Sequence, residues 1–163
     1  MDTPIVVETG NPNVKLRQLT VEDAPAYFDA VEACRAHLSQ FGDETAGKYP
    51  DLQSVVDSIA NPKNPDKIRM GIWDDGIFVG SVNLTPDSGR GDAELGYWVD
   101  SRYAGRGYAT LAARALAKFG QARYKEIWAG VDIRNKASAR VLEKAGFKRT
   151  AAALGKLLFT YYE

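Results

Sequence analysis

Apolar and polar positions alternate with period two in VKLRQLT, Val14 to Thr20, so the first well-patterned segment reads as a strand with one face toward a core. Tyr27, Val31, Cys34, Leu38 and Phe41 then recur at helical spacing behind the acidic pair Glu22-Asp23, which predicts a helix through this stretch. GDETAGKYP reads as a loop, DLQSVVDSIAN as a short helix stopped at Asn61-Pro62, and IRMGIWDDGIFVGSVNL as two strands joined by a hairpin turn at Asp74-Asp75-Gly76. DAELGYWVD is a further strand. A helix from about Tyr108 to Ala122 follows, then the strand EIWAGVDI, a helix from about Lys136 to Ala145, and two strands around FKRTAAA and KLLFTYYE. The predicted order β-α-α-β-β-β-α-β-α-β-β is that of an α/β fold with helices on both faces of a mixed sheet, which buries the most apolar strands.

Composition narrows this. A chain of 163 residues with 45% hydrophobic content suits one domain, 1–163, with a real core. Its apolar runs fall well short of the roughly 18 residues that span a bilayer, and MDTPIVVETG has no basic region followed by an apolar stretch, so the expectation is a soluble cytoplasmic protein without a membrane partner. A single cysteine, Cys34, excludes an internal disulfide, and with a single histidine, His37, no Cys/His zinc cluster is expected. Cys34 reads as a core residue of its helix. Net charge is zero but unevenly divided: residues 1–101 hold 8 Lys+Arg against 17 Asp+Glu, and residues 102–163 hold 13 against 4. This split suggests a polyanion on the C-terminal half and a cationic partner near the N-terminal half.

The charge switch falls at YWVDSRYAGRGYATLAARAL, where a strand passes into a helix through two glycines among arginines. Glycine permits positive φ and close approach to the main chain, and the helix start that follows offers free N–H groups and the positive end of its dipole. Together they make an anion site. The G-K-[ST] ending of a Walker loop is missing.

Arg102-Tyr-Ala-Gly105-Arg-Gly107, followed by Tyr108 and Ala109, matches the R-x-x-G-x-G/A loop of the GCN5-related N-acetyltransferases (GNAT), and NKASARVLEKAGF, Asn135 to Phe147, resembles their second signature, N-x-x-S-x-x-x-L-E-K-x-G-F. The chain resembles this family, and its RimJ/RimL-like branch, across nearly its whole element order. The resemblance implies a GNAT fold: a mixed, mostly antiparallel twisted sheet of about six to seven strands, helices on both faces, splayed at an acyl-CoA site. It implies acetyl-CoA as acyl donor, with main-chain N–H groups from about Arg102 to Ala109 on the pyrophosphate, Arg102 and Arg106 adding charge there, and Lys136 and Arg140 at the ribose phosphate.

By the same resemblance the pantetheine arm pairs with main-chain atoms of Tyr97, Trp98 and Val99, and the Asn135 amide bonds to it. The thioester then points toward Glu94, the candidate general base, which strand alternation places with Gly96 and Trp98 on one face and Ala93, Leu95, Tyr97 and Val99 on the other. Asp132 is the second candidate base. Many family members carry a tyrosine acid just before the Glu of the second signature; this chain has Leu142 there, and Ser138 is the replacement known from the RimL-like branch.

The family's acceptor path implicates Ser39 to Pro50, with Asp43 and Glu44 attracting a cationic amine and His37 and Tyr49 orienting it. Three functions stay open on the sequence. One is acetyl transfer to a primary amine, on a peptide N-terminus or a small molecule. The second is transfer from another donor, a longer acyl-CoA or an aminoacyl-tRNA, the one nucleic-acid partner entertained. The third is a non-catalytic acyl-CoA-binding module. A monomer or homodimer is expected, with a strand near the C-terminus exposed for pairing.

Overall fold

In a computed structural model, which describes residues 3–87 and 89–162, the strands are β1 (Val6–Glu8), β2 (Val14–Gln18), β3 (Ile68–Asp74), β4 (Ile77–Pro86), β5 (Ala93–Val99), β6 (Ile127–Asp132), β7 (Phe147–Ala153) and β8 (Lys156–Tyr161). The helices are α1 (Ala24–Ala33), α2 (Arg35–Leu38), α3 (Thr45–Lys48), α4 (Leu52–Ala60), α5 (Tyr108–Gln121) and α6 (Lys136–Ala145). One 8-stranded sheet runs β1-β2-β3-β4-β5-β6-β8-β7, antiparallel throughout except where β5 meets β6. The strand count exceeds expectation by β1, too short for alternation to reveal; it forms by pairing with β2 and by a 2.8 Å ion pair between Lys15 and Glu8. The predicted hairpin joins β3 to β4 with Asp75 and Gly76 at φ 48° and 82°, the left-handed pair of a type I′ turn.

The expected helix through Phe41 breaks at Cys34, whose φ of −135° and ψ of 29° end α1. Cys34 is buried and its thiol donates to the Ala30 carbonyl at 2.9 Å. Arg35 then turns inward and donates to the carbonyls of Ala46 and Tyr49, folding the Ser39–Pro50 segment back against α1. That tether makes the chain leave the helical path: Phe41 sits at φ 58°, 39% exposed, and the GDETAGKYP loop contains the short α3.

Helices cover both faces, as the pattern requires. On one, α5 and α6 pack Ala112, Ala113, Leu116, Leu142 and Ala145 against Leu16, Met70, Val82, Leu84 and Leu95. On the other, α1 and α4 bring Tyr27, Val31 and Val55 over Phe78 and Trp98. Tyr27 meets Trp98 edge-on, with ring centroids 5.3 Å apart. No helix among the described residues is long and apolar enough to cross a membrane.

Between β5 and β6 the sheet opens. These parallel strands pair only at Ala93↔Ile127 and Glu94↔Trp128, whereas β5 pairs with β4 along its whole length, from Pro86↔Ala93 to Gly80↔Val99. Beyond Glu94 the two strands diverge, one toward the glycine turn and the other toward Asn135. The predicted splay is therefore a wedge with its apex at Glu94 and Trp128.

Candidate active site

Backbone alternation determines which atoms face this wedge. The Asp100 N–H donates to the Val79 carbonyl and the Ala93 N–H to the Glu126 carbonyl, each at 2.9 Å. Bonds of successive β5 residues point to opposite sides, so even positions turn to β4 and odd ones to β6. Leu95 thus closes the short ladder to β6, and beyond it Tyr97 and Val99 present N–H and C=O groups to the gap. Of the three residues assigned to the pantetheine arm, Trp98 has its main chain directed to its partner Ser81 on β4, and its side chain is buried in the second core.

At the wide end of the wedge, β5 leads into the glycine turn through Asp100, which is fully buried. Its carboxylate accepts the Arg102 main-chain N–H at 2.9 Å and the same residue's Nε and Nη2 at 3.1 and 2.7 Å. The Arg102 Nη2 also reaches Asp29 of α1 at 3.1 Å. Arg102 is therefore a brace for the loop. The N–H groups of Arg102, Tyr103 and Ala104 are taken by Asp100 and Ser101, which narrows the free donors from those first expected.

Gly105 through Thr110 have main-chain N–H groups with no partner among the described residues, and the first helical bond of α5 comes only at Leu111, which donates to Gly107. Gly105 and Gly107 lie at φ 77° and 84°, and a side chain at either would point into open space, leaving the main chain accessible to a bulky anion. Ala109 lies in this first turn, and Tyr108 anchors it by a hydrogen bond from its hydroxyl to the Asp74 carboxylate. Arg106 is exposed over the Tyr103 ring, and Lys136 and Arg140 are exposed on the first turns of α6. This cradle of free N–H groups and of cations without a carboxylate partner among the described residues fits a pyrophosphate with a further phosphate.

Across the wedge, Asn135 caps α6: its Oδ1 accepts the Ser138 N–H at 3.1 Å, leaving its NH₂ free to face a ligand. Because Asn135 is the cap, the Ser138 hydroxyl has another task. It is hydrogen-bonded to the Tyr97 hydroxyl, which also donates to the Ser138 carbonyl at 3.2 Å, so β5 and α6 are bridged on the α5/α6 face. Burial pushes the Tyr97 phenol up to about 12 against the opposing effect of its bond to Ser138, so it remains a proton donor at neutral pH. The family resemblance implies a role only for the Tyr97 main chain, because a phenol 41 residues from Ser138 along the chain gives no local signal.

At the apex, on the opposite face, Glu94 is exposed, and its carboxylate makes no hydrogen bond or salt bridge with a described residue. Asp132, the other candidate base, is held by Arg134: Nε and Nη2 each donate at 2.9 Å, as does the main-chain N–H. Those bonds bring its carboxyl down to about 2, a poor affinity for a proton taken from an amine. Arg134 in turn lies over Phe41 at 5.5 Å, so the Ser39–Pro50 segment reaches the loop after β6.

Of the acceptor-side residues, His37, Asp43 and Glu44 are exposed and form no hydrogen bond or ion pair with β5 or β6 among the described residues; the Asp43 carboxylate accepts the Thr45 N–H at 2.7 Å in the turn before α3. Tyr49 does reach the sheet, where its hydroxyl accepts from Arg69 of β3 at 3.0 Å. Arg69 also donates to Ser58 at 2.8 Å and stacks on Tyr27. Arg69 and its neighbour Lys67 were missed in the sequence, although their spacing of two at the start of β3 is a strand signal for a shared face.

A wedge between parallel strands, closed at one end by a carboxylate and opening onto a glycine-lined helix start, defines an acyl-CoA-dependent acyltransferase. The model for an acetyltransferase (GNAT) domain matches residues 13–148, and the chain belongs to that family. It is 29% identical over 151 residues to a probable N-acetyltransferase, YjcK of Bacillus subtilis, covering 86% of this chain and 83% of the relative. Among solved structures, RimL, a ribosomal L7/L12 alpha-N-protein acetyltransferase in complex with coenzyme A, superposes with a TM-score of 0.84 at 15% identity, over 96% of this chain and 97% of that one. Mycobacterium smegmatis RimJ in complex with a CoA disulfide gives a TM-score of 0.75 at 24% identity, over 98% and 89%. The fold is thus that of the RimJ/RimL-like branch, and the chain is an N-acetyltransferase by family.

Proposed function

We propose that the protein transfers an acetyl group from acetyl-CoA to a primary amine, on a small molecule or a peptide N-terminus, by direct attack with both substrates bound. The observation that supports this most is the wedge itself: β5–β6 pairing stops at Glu94↔Trp128, leaving the β6-facing main-chain groups of Tyr97 and Val99 beyond the ladder, beside the free N–H groups of the glycine turn. A pyrophosphate at Gly105–Thr110 and a pantetheine arm along β5 bring a thioester to the apex. The RimL and RimJ neighbours, whose structures contain coenzyme A or its disulfide, support that placement.

Acetyl-CoA supplies an activated carbonyl and a thiolate leaving group; the protein supplies the proton transfers. Glu94, which makes no hydrogen bond or ion pair with a described residue, accepts a proton from the ammonium, directly or through water, so that a neutral amine attacks. On the opposite face Ser138 protonates the departing sulfur and recovers its proton from Tyr97, whose phenol regains one from solvent once the products leave. Leu142 is fully buried where many relatives place a tyrosine acid, and the Tyr97–Ser138 pair provides a hydroxyl from the strand and helix start instead. RimL, described as an alpha-N-protein acetyltransferase, supports a peptide N-terminus among the acceptors to be tried.

The test is calorimetric titration with acetyl-CoA, longer acyl-CoA species and coenzyme A, followed by thiol release with a panel of amines and N-terminal peptides. Saturable acetyl-CoA binding with amine-dependent thiol release is expected. Binding without release across the panel would replace this reading with an acyl-CoA-binding module.

A further inference from the structure

The face of the sheet that carries Glu94 also carries an unneutralised cationic cluster. Register places Arg69 opposite Asn83 and Asn83 opposite Gly96, one row along from Thr85 and Glu94. Lys67, one residue ahead of β3, continues the alternation of Arg69 and falls at the row of Thr85. Strands lie about 4.8 Å apart, so the Lys67 and Glu94 main chains are separated by about 10 Å, with Thr85 between them. Gly96 keeps this surface low: a side chain there would meet the Asn83 amide at 3.2 Å.

The guanidinium of Arg69 is fixed by the hydroxyls of Ser58 and Tyr49 and by two aromatic rings, but by no carboxylate among the described residues. Lys67 is half-buried, and its ammonium makes no hydrogen bond or ion pair among them. Burial, then Arg69 and Lys48, push the Lys67 ammonium below its ordinary range, and Glu94 alone works in the other direction. Two cations, Lys67 just ahead of β3 and Arg69 within it, therefore share a sheet face with a single carboxylate. A cluster with one sign of charge, partly desolvated and lacking a counter-ion, favours an anion brought by a ligand.

We propose, on the basis of the acetyltransferase reading above, that the acceptor carries a carboxylate close to its primary amine, and that Lys67 and Arg69 hold that carboxylate while the amine lies against Glu94. An α-amino acid has this shape, as does a peptide whose first residue is acidic. This reverses the cationic acceptor expected from Asp43 and Glu44. The acidic residues of 1–101 are spread over helices, strands and turns, with Asp23 and Asp100 buried, whereas the sheet register puts Lys67 and Arg69 on the face of Glu94.

The experiment compares kcat/KM for matched acceptors that differ only in a carboxylate: glycine against glycinamide, and the peptide Asp-Ala-amide against Asn-Ala-amide. Amides of amino acids have less basic amines, so a site indifferent to the carboxylate favours glycinamide. The proposal expects the acid to win in at least one pair by about tenfold, and the winning pair identifies the source of the carboxylate. In Lys67→Met the preference should shrink to within about threefold, with acetyl-CoA KM unchanged and the neutral acceptor little affected. If Lys67 merely positions Glu94, both members of a pair lose equally, and the proposal is overturned. It is also overturned if the amides are acetylated as fast as the acids, an outcome that leaves the acetyltransferase reading intact. If no acceptor is acetylated, calorimetry of each pair against the coenzyme A complex decides: carboxylate-dependent binding supports the anion site, and its absence overturns it. Absence of acetyl-CoA binding overturns the acetyltransferase reading itself.

Discussion

The Tyr97 hydroxyl is hydrogen-bonded to the Ser138 hydroxyl and donates to the Ser138 carbonyl at 3.2 Å, joining β5 to the first turn of α6 across the wedge in which pantetheine is proposed to lie. Asn135, not Ser138, caps that helix, so catalytic and structural roles at this helix start fall on different residues and can be measured separately.

Ser138→Ala is expected to lower kcat by at least about tenfold while leaving acetyl-CoA affinity and melting temperature nearly unchanged. Asn135→Ala should do the reverse to stability, costing about 1 kcal/mol as the cap is lost. Rate and thermal melt on the same preparations compare the two, and Tyr97→Phe should resemble Ser138→Ala if the phenol returns the proton. An unchanged rate in Ser138→Ala removes the serine from the mechanism.

Glu94→Gln preserves the shape of the apex but cannot accept a proton, so turnover should fall by roughly 10²-fold with acetyl-CoA binding intact. Raising pH should partly restore the variant, because more of the amine arrives neutral. A wild-type rate and pH profile in this variant would leave the amine without an enzymic base.

Asp132→Asn should leave turnover within about threefold of wild type, because Arg134 already holds this carboxyl near 2. Its folded pKa lies below the ordinary carboxylate value of about 3.9, so any stability it contributes is present above that pH and is lost as pH falls toward about 2. Melting curves of wild type and variant should therefore differ most near neutrality and converge at about pH 2.

Gly107→Trp should remain folded, since a side chain there meets nothing within 4 Å, at a cost of about 1–2 kcal/mol for a non-glycine residue at φ 84°. Acetyl-CoA binding should be lost, because the indole occupies the space in front of the free N–H groups. Unchanged affinity by calorimetry in the folded variant would remove the phosphate from this loop.

Arg102→Ala leaves the buried Asp100 carboxylate without its guanidinium and should destabilise the fold by about 3 kcal/mol, read from denaturant unfolding. Affinity for acetyl-CoA should fall only as far as the loop loosens. A large loss of affinity with no loss of stability would make Arg102 a phosphate ligand rather than a brace.

The sequence alone determined what depends on neighbours along the chain. Alternation put Glu94, Gly96 and Trp98 on one face, Asp75-Gly76 made the hairpin, and the glycines before Tyr108 made a turn into a helix start, because backbone geometry and local sterics operate over a few residues. Two signatures at family spacing were enough to name the family and its fold. Only the tertiary structure decided which polar side chains are spoken for. Arg102 bonds to buried Asp100, Asp132 is neutralised by Arg134, Tyr97 finds Ser138, and Arg69 meets Tyr49 from a different element. Even where partners are only two residues apart, the choice between solvent and partner follows from burial, and where they are 41 apart it follows from sheet and helix packing. A side chain's chemistry at a site depends on the bonds it has left after folding, and that remainder is set by the assembled fold.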